Sequence, residues 1–191
     1  FAANSKDLWH GLAAHPNDDQ AKSISGFNGV RDWELRRNVD EAVSACRAAV
    51  SANPDKPRYQ YQLGRALYHA IQFPDAIKNL QAAADKDHAS ALATLANWFS
   101  LPRAGLTRND EKAFKLRLRA AELGHSRAMQ AVAENYWQGI GTQKDRGKAI
   151  SWNRKAFEIN LKRAVAGDTQ AMRSVSSYYE YPLGKAIDEQ K

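Results

Sequence analysis

The stretch Ala128-Met-Gln-Ala-Val132-Ala133-Glu-Asn-Tyr136 decides the fold, because the chain writes it three times. An earlier copy is Ala91-Leu-Ala-Thr-Leu95-Ala96-Asn-Trp-Phe99, 37 residues before, and a later one is Ala171-Met-Arg-Ser-Val175-Ser176-Ser-Tyr-Tyr179, 43 residues after. In each, a small residue is followed at the fourth, fifth and eighth positions by an apolar, a small and an aromatic residue. On a helix those steps fall along one stripe. The small residues let a second helix approach closely, and the aromatic fills the wider end of the contact. A shorter period of 34 runs ahead of these copies: Ala42, Cys46 and Ala49 return as Ala76, Leu80 and Ala83, with Tyr61-Gln-Leu63-Gly64-Arg-Ala-Leu67-Tyr68 between. Recurrence in this range predicts stacked helical hairpins, each too small to bury its apolar face alone.

The most complete unit covers residues 128–156. Tyr136-Trp-Gln-Gly139-Ile-Gly141 ends one helix and turns, with glycine supplying the backbone freedom. Asp145-Arg-Gly-Lys148-Ala149-Ile-Ser-Trp152-Asn-Arg-Lys155-Ala156 opens the next, with Asp145 as N-cap and Ala149, Trp152 and Ala156 on its buried face. This unit resembles the Sel1-like repeat, a relative of the tetratricopeptide repeat with a longer, glycine-bearing turn. Residues 91–124 resemble it too, with Lys112-Ala113 and Ala120-Ala121-Glu-Leu-Gly124 in place and Asn109 where the family carries aspartate. Residues 42–83 are more similar to the tetratricopeptide form. The resemblance spans roughly residues 40–187. It implies an all-α fold, a right-handed α-solenoid of antiparallel helix hairpins that binds partner proteins, and no particular ligand or reaction.

On this reading the chain divides into an N-terminal capping segment (1–37), a half repeat holding one second helix (38–56) and a tetratricopeptide-like repeat (57–88). A Sel1-like repeat (89–125), a second with an extended second helix (126–168) and a partial C-terminal repeat (169–191) follow. The 43-residue interval asks for that second helix to run about two turns longer. The last copy repeats Gly147-Lys-Ala-Ile150 as Gly184-Lys185-Ala186-Ile187 and stops without the polar capping element of a solenoid end. Together with the initial Phe1, this is expected of a chain trimmed from a longer one.

Composition narrows the functions. At 191 residues the chain holds enough core for one elongated domain of about four hairpins. No apolar run approaches the length of a membrane span, and no signal-peptide pattern is visible. The single cysteine excludes an internal disulfide framework and a multi-cysteine metal site; Cys46 sits at a core position and reads as a small buried hydrophobe. The net charge of +7 is diffuse, densest at Arg103, Arg108, Lys112, Lys115, Arg117 and Arg119. Asp110, Glu111 and Glu122 lie among these cations and the aromatics fall at packing positions, so the patch reads as a solvated helix face rather than a nucleic-acid platform.

Nothing in the sequence announces catalysis. There is no Gly-rich phosphate loop, no metal-binding helix motif and no nucleophile elbow, and Gly139-Ile-Gly141 lacks the third glycine of a dinucleotide site. His10, His15, Asp18 and Asp19 are close in sequence, but their spacing fits no ligand motif, and they read as a polar loop beside a cap built on Trp9 and Leu12. His69, His88 and His125 read as surface or capping residues near helix C-termini. The expectation is therefore a protein that is not an enzyme and carries no cofactor and no metal. Leu12-Ala13-Ala14-His15-Pro16 is similar to an element at the start of alphaproteobacterial repeat proteins, which implies a bacterial, exported adaptor.

A binding groove follows from the repeat register. In a hairpin solenoid the first helix of each repeat lines the concave side, and positions two and five residues either side of the packing Leu or Val face it. Counting from Leu63 gives Arg58, Tyr61, Arg65 and Tyr68; from Leu95, Ser90, Ala93, Asn97 and Ser100. Val132 gives Arg127, Gln130, Glu134 and Trp137, and Val175 gives Gln170, Arg173, Ser177 and Glu180. Tyr, Trp and Arg dominate protein interfaces, and arginines grip carboxylates, so the expected occupant is an acidic or mixed-charge segment of another protein. The expected compartment is extracytoplasmic, periplasmic or secreted, with the cytoplasm as the alternative. Two competing functions are an envelope glycan-binding module using Trp137, Tyr61 and Tyr68, and the repeat arm of a larger enzyme.

Overall fold

A computed structural model describes residues 36–180, and these form eight helices with no strand among them. They are α1 (Val39–Ala52), α2 (Pro57–His69), α3 (Phe73–Asp85), α4 (Ala89–Ser100), α5 (Asp110–Glu122), α6 (Ser126–Gln138), α7 (Arg146–Val165) and α8 (Thr169–Glu180). The chain divides into two compact units at residues 108 and 109. In the first, α1, α2, α3 and α4 each pack on the next in sequence; in the second, α5, α6, α7 and α8 do the same. The helices of residues 89–125 thus fall one in each unit. The capping segment with Trp9 and Leu12, the cluster His10, His15, Asp18 and Asp19, and residues 181–191 lie outside the described residues.

Small residues set the spacing of both units. Ala66, Ala76, Ala83, Ala91 and Ala96 are fully buried around Leu67, Leu80, Leu92 and Leu95 in the first. Ala113, Ala120, Ala121, Ala133, Ala149 and Ala156 surround Val132 in the second. Alanine buries little apolar area, but it lets helix axes approach and loses no side-chain entropy on burial. Gly64 is the limiting case: a Cβ there would lie 2.8 Å from Leu80 Cγ and 3.1 Å from the Ala76 carbonyl oxygen. The α2–α3 crossing therefore exists at its present distance only because position 64 has no side chain.

The connections between hairpins share one design. Each of α3, α5 and α7 ends in a residue of positive φ, namely Asp87 (60°), Gly124 (90°) and Gly167 (89°). The amides of His88, His125 and Asp168 then reach back five residues to the carbonyls of Ala83, Ala120 and Arg163, the bond pattern of a Schellman ending. That same following residue caps the next helix. His88 Nδ1 accepts from the Ala91 amide (3.3 Å), His125 Nδ1 from the Ala128 amide (3.2 Å) and Asp168 Oδ1 from the Ala171 amide (3.1 Å). The two histidines are thus N-caps rather than companions of helix C-termini, and His88 is 0% exposed. In the second unit the second helices start on acceptors as well: Asn109 Oδ1 takes the Lys112 amide at 2.8 Å, and Asp145 Oδ1 the Lys148 amide at 2.9 Å. Asparagine in place of aspartate keeps the cap because the accepting oxygen is the same.

Two turns test this account. Ile71 ends α2 in the same bond pattern but at φ 61°, a conformation that opposes a β-branched side chain, while the side chain itself is 74% exposed. Ile71→Gly removes about 1–2 kcal/mol of left-handed strain against about 0.5–1 kcal/mol of added chain entropy. The urea midpoint of the variant is expected to rise modestly. Gly141, at φ 69°, is opposite: a Cβ there would fall 2.1 Å from the Asp110 carbonyl oxygen at the start of α5. Gly141→Ala is expected to cost about 3 kcal/mol or more, read from the same midpoint.

Candidate functional site

The stripe expected to face a partner is present on the first helices, but its accessibility differs between units. On α2, Tyr61 is 3% exposed and Arg65 6%. The Tyr61 ring stacks on His88, centroids 4.6 Å apart, because the cap of α4 comes in against the side of α2. Arg65 lies close enough to Cys46 of α1 to act on its thiol electrostatically. Tyr68 is half-buried among Trp98 at 4.8 Å, His69 at 5.4 Å and Phe73 at 5.7 Å, and Arg58 is half-buried too. The expectation that Tyr61 and Arg65 meet a partner is corrected by this packing: both are interior residues of the first unit. Gln62, beside them, is fully buried with neither amide atom hydrogen-bonded, a polar group that no repeat position marks in the sequence.

On α6 the equivalent stripe is open. Arg127 and Glu134 are exposed, while Gln130 and Trp137 are half-buried. At 100° per residue these four cover an arc of about 80°, a single face of the helix. Arg127 Nη2 donates to Gln170 Oε1 on α8 at 2.6 Å, tying the two first helices of this unit at their N-terminal ends. At the other end the Arg146 guanidinium sits 5.3 Å from the Trp137 ring centroid, on the face of an aromatic system that attracts cations. Arg173 of α8 is exposed, as is Asn97 of α4 in the first unit. Ser177 and Glu180 have side chains outside the described residues.

The α6 face is held in place by Asn135, which the repeat pattern does not single out. Buried at the end of α6, its Nδ2 donates to the Ile140 carbonyl at 2.6 Å, and its Oδ1 accepts from Arg117 Nη1 of α5 at 3.0 Å. The Gly139 amide bonds the Asn135 carbonyl, and the Asp145 amide bonds that of Tyr136. The glycine turn is thereby folded back on the helix that carries Trp137. Burial lowers the pKa of Arg117, with Glu134 and then Asp110 opposing it. Its neighbour Lys115 pairs with Glu111 at 2.6 Å on the surface, a pair worth little on its own.

Cys46 shows the chemistry of the interior. Burial pushes its thiol up to about 12, with Arg65 pulling the other way, so the nucleophilic thiolate is strongly disfavoured. Among the described residues, no group of three or more His, Cys, Asp and Glu converges to hold a metal ion, and no helix is long and apolar enough to cross a membrane. The first helices of this unit thus carry two exposed arginines, Arg127 on α6 and Arg173 on α8, with the half-buried Trp137.

No family model and no curated protein matches the sequence. Solved structures do. A Sel1 repeat protein from Oxalobacter formigenes is 26% identical, covers 76% of this chain and 96% of its own, and superposes with a TM-score of 0.51. The protective antigen c5321 of uropathogenic Escherichia coli, which displays an SLR fold, is 22% identical over 96% of this chain and 40% of its own, with a TM-score of 0.57. This chain has the Sel1-like repeat (SLR) fold, all-α and built of successive helix hairpins, the architecture of a protein-interaction scaffold.

The raised thiol gives a pH prediction. Because the folded pKa lies above the unfolded one, burial of neutral Cys46 stabilises fully below about pH 8.5. That contribution is lost as the pH rises from there toward the folded value of about 12. Native protein at pH 8 is expected to react with a thiol reagent many-fold more slowly than the same protein in urea. Equal rates would show that Cys46 is accessible in the fold.

Proposed function

We propose that this chain is a non-enzymatic adaptor that holds an acidic segment of a partner protein on the open face of α6. One observation supports the reading above the rest: the repeat writes the same stripe on α2 and α6, and α6 exposes Arg127 and Glu134 where α2 exposes none of its four and buries Tyr61 and Arg65. Arg127 and Arg173 offer forked donors to carboxylates, Trp137 offers a flat apolar surface, and Gln130 and Glu134 between them can hydrogen-bond a peptide backbone. A glycan platform fits this surface less well, since Tyr61 is interior and Tyr68 is enclosed by other rings. A bacterial setting, in the cell envelope or outside it, belongs to this proposal.

Affinity capture with the purified chain, from separated envelope and cytosolic fractions, tests this reading. Wild type is expected to retain a partner from the envelope fraction, and Arg127→Ala/Trp137→Ala to lose it while keeping its helical circular dichroism. Tyr61→Phe, altering a buried position, is expected to leave capture unchanged. Equal retention by wild type and the double variant would remove α6 as the interface.

A further inference from the structure

The second unit carries another surface that the α6 face does not use. α7 runs for 20 residues where α5, the other second helix of this unit, runs for 13. Its solvent side holds Lys148, Lys155 and Lys162, all exposed and spaced by seven. Residues seven apart on a helix form a row that drifts only about 20° per step around the axis. Beside the row, in the two turns by which α7 outlasts α5, lie Leu161 and Val165, one helical turn apart and 43% and 83% exposed. Glu158 is the only acid on α7 and shares this side with a fourth exposed cation, Arg154, one heptad before Leu161.

Two of the three lysines are already positioned. The Lys155 ammonium lies 4.7 Å from the Trp152 ring centroid, and that of Lys148 lies 5.3 Å from the Tyr136 centroid and 3.4 Å from Asp145 Oδ2. Cations seated on aromatic faces lose less freedom when they meet a second anion. A row of like charge at seven-residue spacing is how one helix selects another of opposite charge, and the two aliphatics at its C-terminal end add a point of apolar contact. A bilayer surface would need no such spacing, and two aliphatics at one end of a helix give little to insert.

We propose that the solvent side of α7 docks an acidic amphipathic helix of another protein, one carrying Glu or Asp at seven-residue spacing beside an aliphatic seam. Its acids face Lys148, Lys155 and Lys162, its seam covers Leu161 and Val165, and a basic residue faces Glu158. The occupant is assigned by charge complementarity, four exposed cations (Lys148, Arg154, Lys155 and Lys162) against Glu158 and the Asp145 that pairs with Lys148. This surface is separate from the α6 face, and either reading stands or falls without the other.

The test uses a fluorescent synthetic helix of about three heptads with Leu in the seam and Glu in the facing row, titrated with the full 191-residue chain. The expected result is saturable binding, about tenfold weaker for a peptide of the same composition in scrambled order. Lys148→Glu/Lys155→Glu/Lys162→Glu should lose the acidic peptide and gain one with Lys in place of Glu. Such a gain cannot come from a failure to fold. Arg127→Ala/Trp137→Ala should bind the acidic peptide as wild type does. Equal binding of ordered and scrambled peptides, no exchange of preference in the charge-reversed variant, or binding to phosphatidylserine vesicles without binding to the peptide would each overturn the proposal.

Discussion

The close approach of helix to helix through alanine and glycine is the constraint on which the rest of this structure depends. An alanine seam gives up buried area, so each hairpin contributes little by itself, and stability has to come from repetition of short contacts. Gly64 and Gly141 mark where the approach is closest, one between helices and one between a turn and the backbone of α5. With the seam occupied by small residues, the large ones are pushed to its edges. Tyr61 meets His88 and Tyr68 meets Trp98 in the first unit, and Phe114 meets Tyr136 edge-on in the second. Arg127 and Glu134 are left exposed for a related reason: they lie on the side of α6 away from its packing residues Val132 and Ala133, whereas Trp137, one turn beyond Ala133, is half-buried.

The turns carry as much information as the seams. A residue of positive φ followed by a capping side chain closes one helix and opens the next within two positions, as at Asp87-His88, Gly124-His125 and Gly167-Asp168. This satisfies the backbone groups that a helix end would otherwise leave to solvent. It also explains why three different residue pairs are tolerated: the requirement is a left-handed backbone and one acceptor atom, which glycine or aspartate and then histidine or aspartate provide.

Much of this was legible in the residues. The spacing of small and apolar positions located the helices, because period and burial are two views of one stripe, and Asp145 was recognisable as a cap from its place before an apolar run. Asn109 was readable as a departure, although its accepting oxygen preserves the cap. The accessibility of the stripe was not legible. Tyr61 on α2 and Gln130 on α6 occupy the same repeat position, and what buries the former is His88, a neighbour brought in by the next turn rather than by anything in α2. Asn135 and Gln62 escaped for a similar reason: hydrogen bonding in three dimensions leaves no periodic trace. Whether an arginine lies inside, as Arg65 does, or outside, as Arg127 does, is decided by partners that a one-dimensional pattern does not contain.

Packing in which each helix meets the next in sequence has a kinetic meaning as well. Loops that must close before a contact can form are short throughout each unit, so the entropic barrier to folding is low and local turns can nucleate the process. A ribosome releasing such a chain would expose each hairpin to its predecessor almost as soon as it emerged. Growth by duplicating a hairpin would add a repeat at no cost in folding time to those already made, which is a physical reason for a lineage to extend the array rather than enlarge its core.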